Sequence, residues 1–167
     1  MSGGYAYGQR WDVVVSASID DAFAFLADPD SLAAIEPPST DMRLVPGPPR
    51  VLGLGTESEY IFRWWGFPVY LRIRITEFEP PTRLVLEQVV GPWQSCRHAF
   101  TLGRIGGSTA IAGQDDFRGR PGVIDHLVHR LFVARQLRAI IRFRHEALLR
   151  RLGRPIALEA AVRTGDS

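Results

Sequence analysis

Lysine is absent from the entire chain. With it go Schiff-base chemistry, a pyridoxal-phosphate anchor and the lysine of a phosphate-binding P-loop, each of which needs a primary amine. Cysteine is nearly absent: Cys96 is the only one, so no internal disulfide can form and no multi-thiolate metal site can be built. Long apolar runs are missing as well. Stretches such as Val13-Val14-Val15 and Ile140-Ile141 fall far short of the roughly 18 to 20 residues that cross a bilayer, and Met1 to Arg10 has no apolar secretion segment. These absences predict a soluble, cytoplasmic protein with no membrane span. Gly-x-Gly-x-x-Gly, Gly-x-Ser-x-Gly and Cys-x-x-Cys patterns do not occur, which leaves dinucleotide binding, an α/β-hydrolase triad and a zinc ribbon without support. No cofactor is expected.

What is present suits one domain. The chain has 167 residues, 46% of them hydrophobic, enough to bury a core. The net charge is only +2. Basic residues gather between Arg130 and Arg154, but apolar residues at helical spacing separate them, and no stacking aromatics accompany them. That pattern argues against a nucleic-acid partner.

Trp11 to Ser16 is β-branched and reads as a strand. Ser18 or Asp20 then caps a helix through Ala22 to Leu26, and Asp28-Pro29-Asp30 ends it and opens a second short helix from Ser31 to Ile35. From Met42 to Arg118 strand patterns alternate with turn signals at Pro46 to Pro49, Trp65-Gly66, Pro80-Pro81-Thr82, Gly91-Pro92 and Gly106-Gly107, an antiparallel meander of about six strands. After Gly119-Arg120-Pro121-Gly122 the period changes to 3.6. Leu127, Leu131, Ala134, Ile141, His145, Leu148 and Leu152 then share one stripe of a long amphipathic helix, which Gly153 and Pro155 stop. A single domain over 7–152 is expected, with flexible termini at 1–6 and 153–167.

Turn lengths set the strand registers. With Trp65-Gly66 as a two-residue turn, Glu59 faces Arg72 and Glu57 faces Arg74, while Ser58, Tyr60, Phe62, Val69, Leu71 and Ile73 share the opposite, covered face. A turn at Gly91-Pro92 sets Glu87 against Cys96 and Val85 against His98. A turn at Gly106-Gly107 sets Asp115 against His98 and Asp116 against Arg97. On this register Val85, Glu87, Val89, Gln94, Cys96, His98, Phe100, Leu102, Ile111, Asp115 and Phe117 point inward, and Arg97 pairs with Asp116 outside. A bulge would invert these faces.

Several side chains on this framework are candidates for chemistry. His98 with Glu87 and Asp115 as inward neighbours is a candidate general acid or base; the bland alternative is a hydrogen-bonded cavity histidine. Arg138 and His145 lie on or beside the apolar stripe of the last helix, where Arg138 can close over Asp115 or a ligand carboxylate, or simply snorkel. Tyr60, Phe62 and Trp64, at period two, form an aromatic wall or plain core. His126 and His129 offer two metal ligands without a third, so no metal site is expected. Trp64-Trp65-Gly66-Phe67-Pro68 places aromatics at a hairpin tip, which suits a cavity mouth, a homodimer contact or a partner contact.

Ala22-Phe23-Ala24-Phe25-Leu26-Ala27-Asp28-Pro29, Thr76-Glu77-Phe78-Glu79-Pro80-Pro81, Glu87-Gln88-Val89-Val90-Gly91-Pro92, Arg97-His98, Arg135-Gln136-Leu137-Arg138 and Arg144-His145 together resemble the SRPBCC (START-like) superfamily, in the group often labelled cyclase/dehydrase. The resemblance runs from Trp11 to Leu152. It implies an α+β helix-grip fold: a curved antiparallel sheet of six to seven strands around a long C-terminal helix, with two short helices after the first strand. In the family pattern an aromatic precedes the Arg-His pair and a second histidine follows two residues later; here Cys96 and Phe100 stand in those places and leave His98 alone. The resemblance further implies an internal cavity for a small hydrophobic, lipid-, isoprenoid- or polyketide-like ligand. Tyr60, Phe62, Trp64, Leu71, Ile73, Cys96, Phe100, Phe117, Leu131, Arg138, Ile141 and His145 are its expected lining. The alternative is a cofactor-independent polyketide cyclase or dehydratase in which His98, with Glu87 or Asp115, moves the proton. Fold alone does not choose between them.

Overall fold

The computed structural model describes residues 6–47, 51–119 and 134–155. Alternation of buried and exposed residues runs along β1 (Ala6–Val15), which places Trp11, Val13 and Val15 on one face. Helix α1 (Ile19–Ala27) starts where Ser18 Oγ accepts from the Asp21 N–H at 3.1 Å, and Asp20 and Asp21 complement the positive end of its dipole. Helix α2 (Pro29–Ala34) follows at once because Asp28 serves as its cap, accepting from the Ser31 N–H at 3.0 Å, and Pro29 fits a first-turn position with no N–H to satisfy. A 3-10 turn at Pro38–Thr40 leads to β2 (Arg43–Leu44), then β3 (Glu57–Trp64), β4 (Phe67–Glu79), β5 (Arg83–Val90), β6 (Ser95–Ile105) and β7 (Ser108–Arg118). Helix α3 (Ala134–Leu152) closes the described chain.

All seven strands form one antiparallel sheet in the order β1-β7-β6-β5-β4-β3-β2, so the first strand closes onto the last. Register shifts between Arg72 and Ile73 and between Ile75 and Glu77 bend the β4–β5 pair. The end of α3 is tied to the end of β1: Ser16 N–H donates to Gly153 O at 3.0 Å and Ala17 N–H to Leu152 O at 2.9 Å. Gly153 makes this possible, since its φ of 85° is the left-handed conformation that stops a helix, and a Cβ there would lie 2.1 Å from Ser16 Oγ. Leu148, Ile141 and Ala147 of α3 thereby pack with Trp11, Phe100, Ile111 and Leu26 in the main core. A smaller cluster of Cys96, Phe117 and Leu137 sits beside it, with Trp64 and Trp93 against it.

Two of the three registers expected from turn lengths are present. Glu59 faces Arg72 and Glu57 faces Arg74 across β3–β4, and His98 faces Asp115 across β6–β7. The β5–β6 register is one residue away from expectation: Glu87 faces Arg97, and Leu86 faces His98. The cause is the connection, which spans 91–94 between Val90 and Ser95 instead of turning on Gly91-Pro92 alone. With period-two side chains a one-residue slip exchanges the faces. Glu87 therefore points outward, 3.4 Å from Arg97 and 46% exposed, and Leu84 and Leu86 take the inward positions. Arg97 reaches Glu77 and Glu87 rather than Asp116, whose carboxylate accepts from Gln114. Leu127 and Leu131 of the expected stripe, and the His126–His129 pair, lie outside the described residues. Among the described residues no helix is long and apolar enough to cross a membrane.

Candidate functional site

Cys96 and His98 are two residues apart on β6, so both project from the same, inward face. Their side chains meet: Cys96 Sγ lies 3.2 Å from His98 Nε2. The other ring nitrogen, Nδ1, makes a short hydrogen bond to Asp115 Oδ1 across the β6–β7 ladder. Asp115 is 1% exposed, and a carboxylate so buried needs full compensation. Trp11 of β1 supplies part of it, its indole Nε1–H donating to Asp115 Oδ2 at 2.8 Å. Arg144 of α3 supplies the rest, with Nη1 donating to Asp115 Oδ1 at 3.3 Å and Nη2 donating to Glu36. Sulfur, imidazole, carboxylate, guanidinium and a second carboxylate thus form one chain of contacts from β6 through β7 to α3 and the segment after α2.

The charge states follow from these neighbours. Burial disfavours the His98 cation, but its interactions with the Cys96 sulfur and the Asp115 carboxylate outweigh it, and the imidazole is pushed up to about 10. Burial likewise opposes ionisation of Asp115, yet His98, Arg144 and the Trp11 N–H hold its carboxyl down at about 2. Arg144 stays a cation, since Glu36 and Asp115 more than offset its desolvation. At neutral pH the site therefore holds an imidazolium between a sulfur and a carboxylate.

These groups form the polar side of a cavity of about 100 Å³ between the sheet and α3. Phe62, Trp64, Leu71, Trp93, Phe117 and Ile141 form most of its apolar wall. Its size is below that of ordinary ligand pockets, roughly 300 to 1,000 Å³, and nearer the cavity of about 150 Å³ that accepts a benzene. Trp64 and Trp93 meet edge to face with ring centroids 5.6 Å apart, and Trp93 meets Phe117 at 5.5 Å, so the wall is a continuous aromatic surface.

The structure brings His98, Asp115, Cys96, Phe62, Trp64, Leu71, Phe117 and Ile141 of the expected site to this cavity. Tyr60, Ile73 and Phe100 lie in the main core instead; Tyr60 is fully buried and its hydroxyl donates to Pro29 O at 3.2 Å. His145 is half-buried and outside the lining, Arg138 is exposed, and Leu131 lies outside the described residues. The arginine over Asp115 is Arg144, more than one and a half turns beyond Arg138, because Arg144 shares the buried side of α3 with Leu137, Ile141 and Leu148. Trp11, Glu36, Met42, Trp93 and Arg144 are site residues that sequence reasoning missed. Of the hairpin-tip aromatics, Trp64 turns into the cavity. Trp65, at φ 50°, donates its indole N–H to Gln136 Oε1 at 2.8 Å, and Phe67 is exposed.

No family model matches this chain, and no curated protein matches it by sequence. Solved structures do match it. One is the TTHA0849 protein of Thermus thermophilus, at 14% identity with a TM-score of 0.70, covering 87% of this chain and 97% of that one. Another is the CV1439 protein of Chromobacterium violaceum, at 14% identity and TM-score 0.67, covering 89% and 99%. A third is a truncated norcoclaurine synthase of Thalictrum flavum, at 15% identity and TM-score 0.59, covering 89% and 97%. The chain has the helix-grip fold of these structures. In this chain α3 packs against β1 and reaches β7 through the Arg144–Asp115 contact, and Arg144 is the one charged residue of α3 among the buried residues described.

Proposed function

We propose that this helix-grip chain binds a small, largely apolar molecule in the cavity between its sheet and α3. The observation that carries the reading is the pairing of an aromatic wall with a single polar corner made by Cys96, His98, Asp115 and Arg144. Convergent polar groups in an otherwise apolar cavity are the usual composition of a small-molecule site. A neighbour of the same fold, norcoclaurine synthase, has been solved with a transition-state analogue bound, which supports the fold as one that can hold small molecules. The volume favours a ligand of about one ring over an extended lipid or polyketide chain.

A second reading has its own support in the position of His98. Held as an imidazolium by Asp115, it can deliver a proton into the cavity at neutral pH, as a cofactor-independent cyclase or dehydratase requires. Asp115, and not the outward Glu87, is then the acidic partner.

The test begins with native mass spectrometry of the purified protein, followed by solvent extraction and identification of any retained compound. Titration with phenol and with cyclohexanone, read by the emission of Trp64 and Trp93, follows. Saturable quenching, or a retained stoichiometric compound, supports the binding reading. Emission that does not respond to either probe, in a protein that retains nothing, rejects it. Turnover of an extracted compound that is lost in His98→Gln with binding retained selects the enzymatic reading.

A further inference from the structure

Cys96 is usually expendable in such a cavity wall: alanine or valine fills the same space without a polar atom. Here it stands at one end of an ordered series. Its sulfur is on His98 Nε2 at 3.2 Å, His98 Nδ1 is on Asp115 Oδ1, and Asp115 Oδ2 is held by Trp11 Nε1 at 2.8 Å. Both ring nitrogens of His98 are therefore engaged, one by a nucleophile and one by a buried carboxylate that fixes the ring. A thiol, a base and a group that orients the base make up the arrangement by which a thiol is activated.

A second, independent feature of the cavity points to a ligand. Arg144 is 9% exposed and lines the cavity, and although its two terminal nitrogens bond Asp115 and Glu36, its buried Nε–H has no partner among the described residues. A buried donor without an acceptor is costly. A ligand oxygen brought against Arg144 would satisfy it. The cavity thus offers one nucleophile, one proton carrier and one spare donor, inside apolar walls that leave room for about one ring.

We infer that Cys96 is a nucleophilic thiol that adds reversibly to a small apolar α,β-unsaturated carbonyl compound in this cavity, with His98 as its proton partner and Arg144 as the donor to the carbonyl oxygen. This rests on the binding reading above and names its ligand class. An enone or enal has one acceptor oxygen and one soft electrophilic carbon, which match the donor and the sulfur. An acyl-transfer substrate instead needs a leaving group and a second reactant in the same small space.

The step balances without an oxidant or reductant. The thiol proton resides on His98 Nε2, and Sγ attacks the β-carbon to form a carbon–sulfur bond. The π pair of the double bond moves onto the α-carbon and carbonyl, giving an enolate whose oxygen accepts from Arg144 Nε–H. His98 Nε2–H then delivers its proton to the α-carbon. Hydrogen and sulfur have added across the double bond, and the reverse sequence releases the compound unchanged.

The probe is 2-cyclohexen-1-one, with the adduct read by intact-mass spectrometry. Cys96 is the only cysteine and lysine is absent, and Cys96→Ser, which keeps the histidines and the amino terminus, gives the background against which an adduct is assigned to this thiol. The folded wild-type chain is compared with the same chain unfolded in guanidinium at the same pH. Adduct formation in the folded chain is expected to saturate with probe concentration. It should also exceed that of the unfolded chain by ~10²-fold, the lower end of what a positioned acid/base contributes. His98→Gln should lose most of that factor. A folded chain that binds cyclohexanone but reacts with the enone no faster than the unfolded chain overturns the nucleophile and leaves the binding reading intact. A chain that binds neither compound removes the binding reading, and this inference with it. The folded-against-unfolded comparison uses wild type alone, so the outcome stands even where His98→Gln does not fold.

Discussion

Asp115→Asn tests the buried network with little change of volume. In the wild type the carboxylate accepts from Trp11 Nε1 at 2.8 Å, from Arg144 Nη1 at 3.3 Å and from the His98 ring. The amide keeps the shape but removes the charge, and it turns a donor toward a donor on one side. Removing one partner of a buried ion pair costs about 3 to 5 kcal/mol. Arg144 retains Glu36, which holds the expected cost near the lower figure, about 3 kcal/mol. For a chain of this length each kcal/mol moves Tm by about 2 to 4 °C, so Asp115→Asn should melt ~6 to 12 °C below wild type at pH 7.

The pH dependence gives the prediction its sign. The Asp115 carboxyl is lowered from 3.8 to about 2 in the folded chain. Its stabilisation is therefore fully present above pH 4 and lost as pH falls toward 2, an effect of about 2 kcal/mol by linkage. The gap between wild type and Asp115→Asn should accordingly narrow between pH 4 and pH 2. His98 shows the same ion pair from the other side: raised from 6.5 to about 10, it stabilises fully below pH 6.5 and loses its effect as pH rises through 10. The two contributions describe one pair and are not added. Circular-dichroism melts from pH 7 down to pH 2 measure the acid limb, and melts from pH 7 up through pH 10 measure the alkaline one. A variant within about 1 to 2 °C of wild type at pH 7, the scale of an exposed neutral substitution, refutes a buried, charged Asp115.

Gly113→Ala should destabilise by about 1 to 3 kcal/mol: an added Cβ would lie 2.1 Å from the Trp11 ring, and the shifted indole should blue-shift or quench a fluorescence band that wild type retains. Glu87→Gln should change stability by less than about 1 kcal/mol, as expected for an exposed pair, and leave probe binding unchanged; loss of binding would restore Glu87 to the site. Phe117→Leu should cost about 1 kcal/mol and enlarge the cavity, so that 2-naphthol, which wild type should exclude, quenches Trp64 and Trp93 in the variant.

Which parts of this site were legible in the sequence depends on how each residue is placed. His98 and Asp115 could be paired in advance because Gly106-Gly107 is a tight turn with Ile105 facing Ser108, and a two-residue turn leaves the register no slack. Glu59 with Arg72 was legible for the same reason. Glu87 was misplaced because Gly91-Pro92 looks like an equally tight turn, whereas Trp93 belongs to the connection and lines the cavity, with Gln88 Nε2 donating to its carbonyl at 2.8 Å. An aromatic directly after a Gly-Pro signal was the available hint that the loop carries a buried side chain and is longer than two residues.

Arg144 left a different trace. It falls in the spacing Leu137, Ile141, Arg144, Leu148, and a charge inside an apolar stripe signals a buried partner. Arg138 lies beside a stripe drawn through Ile141, His145, Leu148 and Leu152, whereas the buried side of α3 runs through Leu137, Ile141, Arg144 and Leu148, which leaves Arg138 exposed. Trp11 and Glu36 left almost none: each meets its partner, Asp115 or Arg144, more than a hundred residues away in the chain. Gly113, which faces Trp11 across β1–β7 and whose missing Cβ makes room for the indole, is the one residue that marks the contact. Period-two alternation did place Cys96 beside His98, yet a shared face says nothing about whether sulfur and ring touch. That contact exists because Asp115 holds Nδ1, and Asp115 is held in turn by Trp11 and Arg144. The position of the sulfur against the imidazole is thus set by residues on β1, β7 and α3, which only the closed sheet and its gripping helix bring together.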